Sequence, residues 1–130
     1  AFAECAALEK VVTSANVIEE AAFYGCRCLS EIDDSCITRV EKFSFNGCMS
    51  LEKADFTGLT EIPEFAFYSC SSLGNECFDF SKITLIDNCA FSSSGISGTT
   101  DIRSAVRIGN QAFSYTKIEE IYLKWVSFYV

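Results

Sequence analysis

Phenylalanine returns at Phe2, Phe23, Phe45, Phe67, Phe91 and Phe113, so the spacing is 21 to 24 residues along the whole chain. A small residue precedes each: Ala1, Ala22, Ser44, Ala66, Ala90 and Ala112. Three residues after each Phe come Cys5, Cys26, Cys48 and Cys70, then Ser94 and Thr116. Leu8, Leu29, Leu51 and Leu73 follow in the same phase, replaced by Ile96 and Ile118 in the last copies. Five residues ahead of the Phe stand Ile18, Val40, Ile62, Ile86 and Ile108. A unit this short cannot enclose a core alone, so copies must stack and bury their apolar faces against one another.

Copies three to six also hold an alternating step with an outer pair and a middle residue: Ala54-Asp55-Phe56, Phe78-Asp79-Phe80, Thr100-Asp101-Ile102 and Ile121-Tyr122-Leu123. That alternation predicts one short strand per copy with its middle side chain facing out. Elsewhere the apolar positions are three apart, too sparse for a long amphipathic helix. The prediction is a single repeat solenoid over residues 1–130, with copies starting near 1, 22, 44, 66, 90 and 112. Copy four is two residues longer around Asn75-Glu76-Cys77, and copy one is a residue short near Ser14.

The string Ala66-Phe67-Tyr68-Ser69-Cys70-Ser71-Ser72-Leu73 resembles the A-F-x-x-C-x-x-L signature of BspA-type leucine-rich repeats. Leu59-Thr60-Glu61-Ile62 is similar to the L-x-x-I segment of the same unit. The resemblance implies a right-handed leucine-rich-repeat superhelix with a short parallel β-sheet on its concave side. It further implies a surface-exposed or secreted binding protein whose ligand is a protein or a glycan. It brings no catalytic residues to carry over.

Composition narrows the chemistry. The chain has no His, so Ser-His and Cys-His nucleophile pairs and imidazole metal ligands are impossible. Neither G-x-G-x-x-G nor G-x-x-x-x-G-K-[ST] occurs, so no enzyme activity and no cofactor are expected. A net charge of −8 without a Lys/Arg cluster argues against nucleic acid. No run approaches the roughly 18 apolar residues of a membrane span, so no membrane insertion is expected. An apolar fraction of 49% argues against disorder.

Stacking turns spacing into columns. The Phe column is expected to be core. The Cys5, Cys26, Cys48 and Cys70 column is expected to be unbridged buried thiols, because stacked side chains run parallel rather than head-on. On the exposed face Asp33, Asp55, Asp79 and Asp101 align, with Tyr122 continuing the column and Arg103 and Lys124 beside its end. Neighbouring carboxylates at about 4.8 Å repel by roughly 0.9 kcal/mol even at water dielectric. Such a stripe is either plain solvated surface or the binding face for a basic macromolecular partner, and these seven residues are the candidate site. A calcium ion at Asp55 and Asp79 is a further alternative, since hard cations take carboxylate and hydroxyl oxygens. The row Thr38, Thr60 and Thr84 is expected to be structural, Thr being a good strand residue.

No polar capping repeat is visible at either end. Phe2, Trp125, Phe128 and Tyr129 are apolar terminal positions. The expectation is a segment of a longer array, with end-to-end self-association into a filament as the alternative.

Overall fold

A computed structural model describes residues 1–124 and the backbone of 127–128. The chain is a parallel β-solenoid of about five turns, as the repeat predicts. The strands in chain order are β1 (Lys10–Val12), β2 (Val17–Ile18), β3 (Glu31–Asp33), β4 (Arg39–Val40) and β5 (Glu61–Ile62), then β6 (Leu85–Ile86), β7 (Ser97–Asp101), β8 (Arg107–Ile108), β9 (Lys117–Tyr122) and β10 (Ser127–Phe128). All pairings are parallel, each strand lying against its counterpart one repeat away.

The expectation of one strand per copy needs correction, because two separate ladders run along the solenoid. One ladder uses the alternating step: β1 pairs with β3 and β7 with β9. Between them coils three and four contribute only the isolated bridges Glu31–Lys53 and Phe56–Phe78. The other ladder follows the Ile column and is divided into β2–β4 and β5–β6–β8–β10. One residue accounts for the division. The N–H groups of Glu41, Asp87 and Gly109 donate across coils to the carbonyls of Ile18, Ile62 and Ile86 at 2.9, 2.9 and 2.7 Å. Pro63 holds the same place in coil three and has no N–H to give Val40.

The Phe column is the axis of the core. Phe2, Phe23, Phe45, Phe67, Phe91 and Phe113 stack in sequence with ring centroids 5.8, 5.5, 5.6, 5.7 and 5.4 Å apart and planes within 13° of parallel. Those spacings are offset stacks, the arrangement that the ring quadrupole favours. A second aromatic row, Phe56 and Phe78, meets the first edge-on, with Phe67–Phe78 at 83° and Phe78–Phe91 at 89°. Leu29, Leu51, Leu59, Leu73, Ile62, Ile86 and Ile96 close the interior around them, all fully buried.

The arc bearing the Phe is bound to its neighbours through the backbone. Phe23, Phe45 and Phe67 each donate an N–H to the carbonyl that precedes the next Phe, on Ser44, Ala66 and Ala90, at 2.9 to 3.0 Å. The chain turns on either side of the ring through left-handed residues, Ala21, Phe43, Phe65, Cys89 and Gln111 before it, and Glu4, Gly25, Gly47, Ser69, Ser93 and Tyr115 after it. A side chain in that conformation costs roughly 1–2 kcal/mol. Inter-coil hydrogen bonds from the same residues offset part of it, as in Ala21 to Lys42 at 3.0 Å and Ser69 to Ser92 at 2.9 Å.

The Cys column sits just beyond. All eight cysteines are free thiols; Cys26, Cys48 and Cys70 are buried, whereas Cys5 on the first coil is exposed. Each of these three thiols donates to the carbonyl of a Phe one coil back: Cys26 to Phe2, Cys48 to Phe23 and Cys70 to Phe45, at 3.0 to 3.1 Å. Burial pushes the Cys48 thiol up to about 12 and raises Cys70 as well. At the ends, Phe2 stacks on Phe23 and is half exposed. The backbone of Phe128 pairs opposite Ile108, while Trp125 and Tyr129 lie outside the described residues.

Two outcomes follow. Phe67→Ala removes a fully buried ring stacked on both sides, so it should destabilise the fold by about 3–5 kcal/mol in denaturant titration. Alkylation at pH 8 followed by peptide mass spectrometry should label the exposed Cys5, Cys28 and Cys36 in the native state and reach Cys48 and Cys70 only after unfolding.

Candidate functional site

The carboxylates of the alternating strands do not form one even row. Asp33 ends strand β3 opposite Val12, and Asp101 ends β7 opposite Tyr122. In the middle, the Phe56–Phe78 bridge sets Asp55 opposite Cys77 instead of Asp79. The 3₁₀ turn Asn75–Cys77, which falls in the two-residue lengthening of copy four, precedes this shift of Asp79 from the column.

Local hydrogen bonding decides what each Asp does. The Asp55 Oδ1 accepts the N–H of Thr57 at 3.0 Å and its hydroxyl at 2.5 Å. Asp79 Oδ1 accepts the same two groups from Ser81 at 3.1 and 2.5 Å. Asp101 Oδ1 accepts the Arg103 N–H at 3.1 Å. These are Asx turns, in which the side chain replaces a backbone acceptor where the strand bends away. They were readable in the spacing D-x-[ST] at Asp55-Phe56-Thr57 and Asp79-Phe80-Ser81. In coil two the turn falls to Asp34, which accepts the Cys36 N–H at 2.7 Å and is buried, while Asp33 stays exposed. Sequence reasoning missed Asp34 because its neighbour filled the expected column.

Charge along the face is graded. Arg103 grips Asp101 with Nε on Oδ1 at 3.0 Å and Nη2 on Oδ2 at 2.8 Å. Its guanidinium also lies over the Tyr122 ring, 5.6 Å from the centroid. Lys82 Nζ stands 3.8 Å from Asp79 Oδ2. Asp33 and Asp55 carry no ion pair among the described residues, so the acidic character concentrates there. Lys124 is exposed beside the last rung. For a calcium ion at Asp55 and Asp79 the geometry is unfavourable: the register sets the two apart, each carboxylate is turned onto its own bend, and among the described residues no group of three or more Cys, Asp or Glu could hold a metal ion.

The family model for the BspA type leucine-rich repeat region matches six copies over residues 1–124. The chain belongs to the BspA-type leucine-rich-repeat family. Repeats of this family are generally non-catalytic and serve protein binding or surface functions. Neither a curated protein nor a solved structure matches the chain with significance. Among the described residues no helix is long and apolar enough to cross a membrane.

The hydroxyl and N–H bonds of Thr57 hold the Asp55 carboxyl below the ordinary aspartate range, those of Ser81 do so for Asp79, and the Arg103 side chain does so for Asp101. Their contribution is therefore complete above the unfolded value near pH 4 and is lost as pH falls through the folded values. Asp55→Ala should destabilise by about 1 kcal/mol or less at neutral pH, the site being largely exposed. Asp55→Asn should retain most of the turn, and with Asp79→Asn and Asp101→Asn it should flatten the acid limb of a melting-temperature profile below about pH 4.

Proposed function

We propose that this protein is a non-catalytic recognition module acting at or outside the cell surface, with a macromolecular ligand bound across the face of the alternating strands. One observation supports the reading above others. The interior columns repeat coil after coil as Phe and Leu or Ile, whereas the outward face changes along the solenoid: the column runs from Asp33 and Asp55 to Asp101 and Tyr122, and beside it stand Glu31, Lys53, Thr99 and Glu120. A uniform inside holds the scaffold, and a varied outside carries specificity.

Within that face the acidic end at Asp33 and Asp55 suits a basic protein surface. The Asp101–Arg103–Tyr122 corner offers a flat aromatic and a pre-ordered guanidinium. Proteins of this family are often surface-associated, which agrees with such a role.

The test is binding of the immobilised chain to an array of extracellular proteins and glycans. Asp33→Asn with Asp55→Asn preserves the turn acceptor and removes two charges. At least one partner should lose about tenfold in affinity, chiefly through a slower, salt-sensitive association rate. If every partner binds the double variant as well as the parent, the acidic end is not the binding face.

A further inference from the structure

The row two residues after the Phe is left-handed in all six coils, but only Gly25 and Gly47 in it are glycine, and they are neighbours. A Cβ on Gly47 would stand 3.4 Å from the Gly25 Cα, and one on Gly25 would stand 3.2 Å from the Glu4 Cγ. The two missing side chains leave a groove of about 500 Å³ that draws residues from four successive coils, Glu4 at one end and Ser69 at the other. At the coil spacing it runs for about 14 Å along the solenoid.

The groove lies on the arc between the Phe and Cys columns, well away in sequence register from the carboxylate face. Tyr24 and Met49, 39% and 44% exposed, line it beside the glycines. Arg27 and Asn46 complete it, and neither side chain is committed to a hydrogen bond or ion pair among the described residues. Its two charged side chains, Glu4 and Arg27, have opposite sign. The groove therefore presents no net formal charge, which favours neither an anion nor a cation.

We infer that this groove is a binding site for a neutral glycan segment, a feature separate from the carboxylate face. The volume is in the range of small-ligand sites. An exposed ring takes the apolar face of a pyranose, while guanidinium, amide, carboxylate and hydroxyl groups match its ring of alcohols as donors and acceptors. The length suits a chain of sugars more than a single one.

The experiment is a ¹⁵N NMR titration of the full chain with millimolar cellotriose, maltotriose and triacetylchitotriose. Oligogalacturonate and an uncharged tetrapeptide serve as the acidic and peptide probes. The Gly25 and Gly47 amides, bonded to Asn46 and Tyr68 at 2.7 and 2.8 Å, report on the floor directly. At least one neutral trisaccharide should shift both signals, and Tyr24→Ala and Arg27→Ala, each truncating an exposed side chain, should weaken that binding by about tenfold. Asp33→Asn with Asp55→Asn should leave it unchanged. Shifts produced only by the acidic sugar or the peptide, no shift with any probe, or a response insensitive to both truncations would overturn the proposal.

Discussion

Every coil of this protein rests on a copy of itself, and that constraint governs the rest of the structure. In a parallel stack each side chain meets its own kind one rung away. Aromatic rings profit, because offset stacking at 5.4 to 5.8 Å is close to the separation that successive coils impose. Thiols tolerate it, since each Sγ hydrogen-bonds a carbonyl of the previous coil and no second sulfur is needed. Carboxylates suffer from it. The structure relieves them by bending three onto their own turns and by setting Lys82 and Arg103 beside two of these.

The departures from regularity are what give the surface its character. Pro63 withdraws one donor and splits the Ile ladder without disturbing Ile62, which stays fully buried. The lengthening of copy four holds a 3₁₀ turn, and Asp79 after it lies out of line. Two adjacent glycines open a groove where other coils carry Glu, Ser or Tyr in the same backbone conformation. In each case the core columns continue unbroken, so local change outside does not require repacking inside. A scaffold with that property can vary its exposed positions while conserving its fold.

Much of this was legible beforehand. The Phe, Leu and Ile columns, the parallel direction and the inward thiols follow from a fixed period and need no coordinates. The second ladder was not legible, because two-residue strands such as Val17–Ile18 and Leu85–Ile86 are too short to show any alternation. The left-handed corners were hidden too. Only Gly25 and Gly47 mark them with the expected residue, while Ala21, Phe43 and Gln111 adopt the same conformation under tertiary compulsion.

The sequence by itself determined the architecture, since a unit of about 22 residues with one apolar pattern has no stable arrangement except a stack of its copies. Only the tertiary structure decided which carboxylates face a partner. Asp33 and Asp34 are indistinguishable neighbours in the chain, yet one is exposed at a strand end and the other is buried in a turn. The same holds for Asp55 and Asp79, which share a motif but lie out of register. Column membership is a property of the period, whereas orientation depends on where each coil bends, and bending is set by contacts between residues more than 20 positions apart.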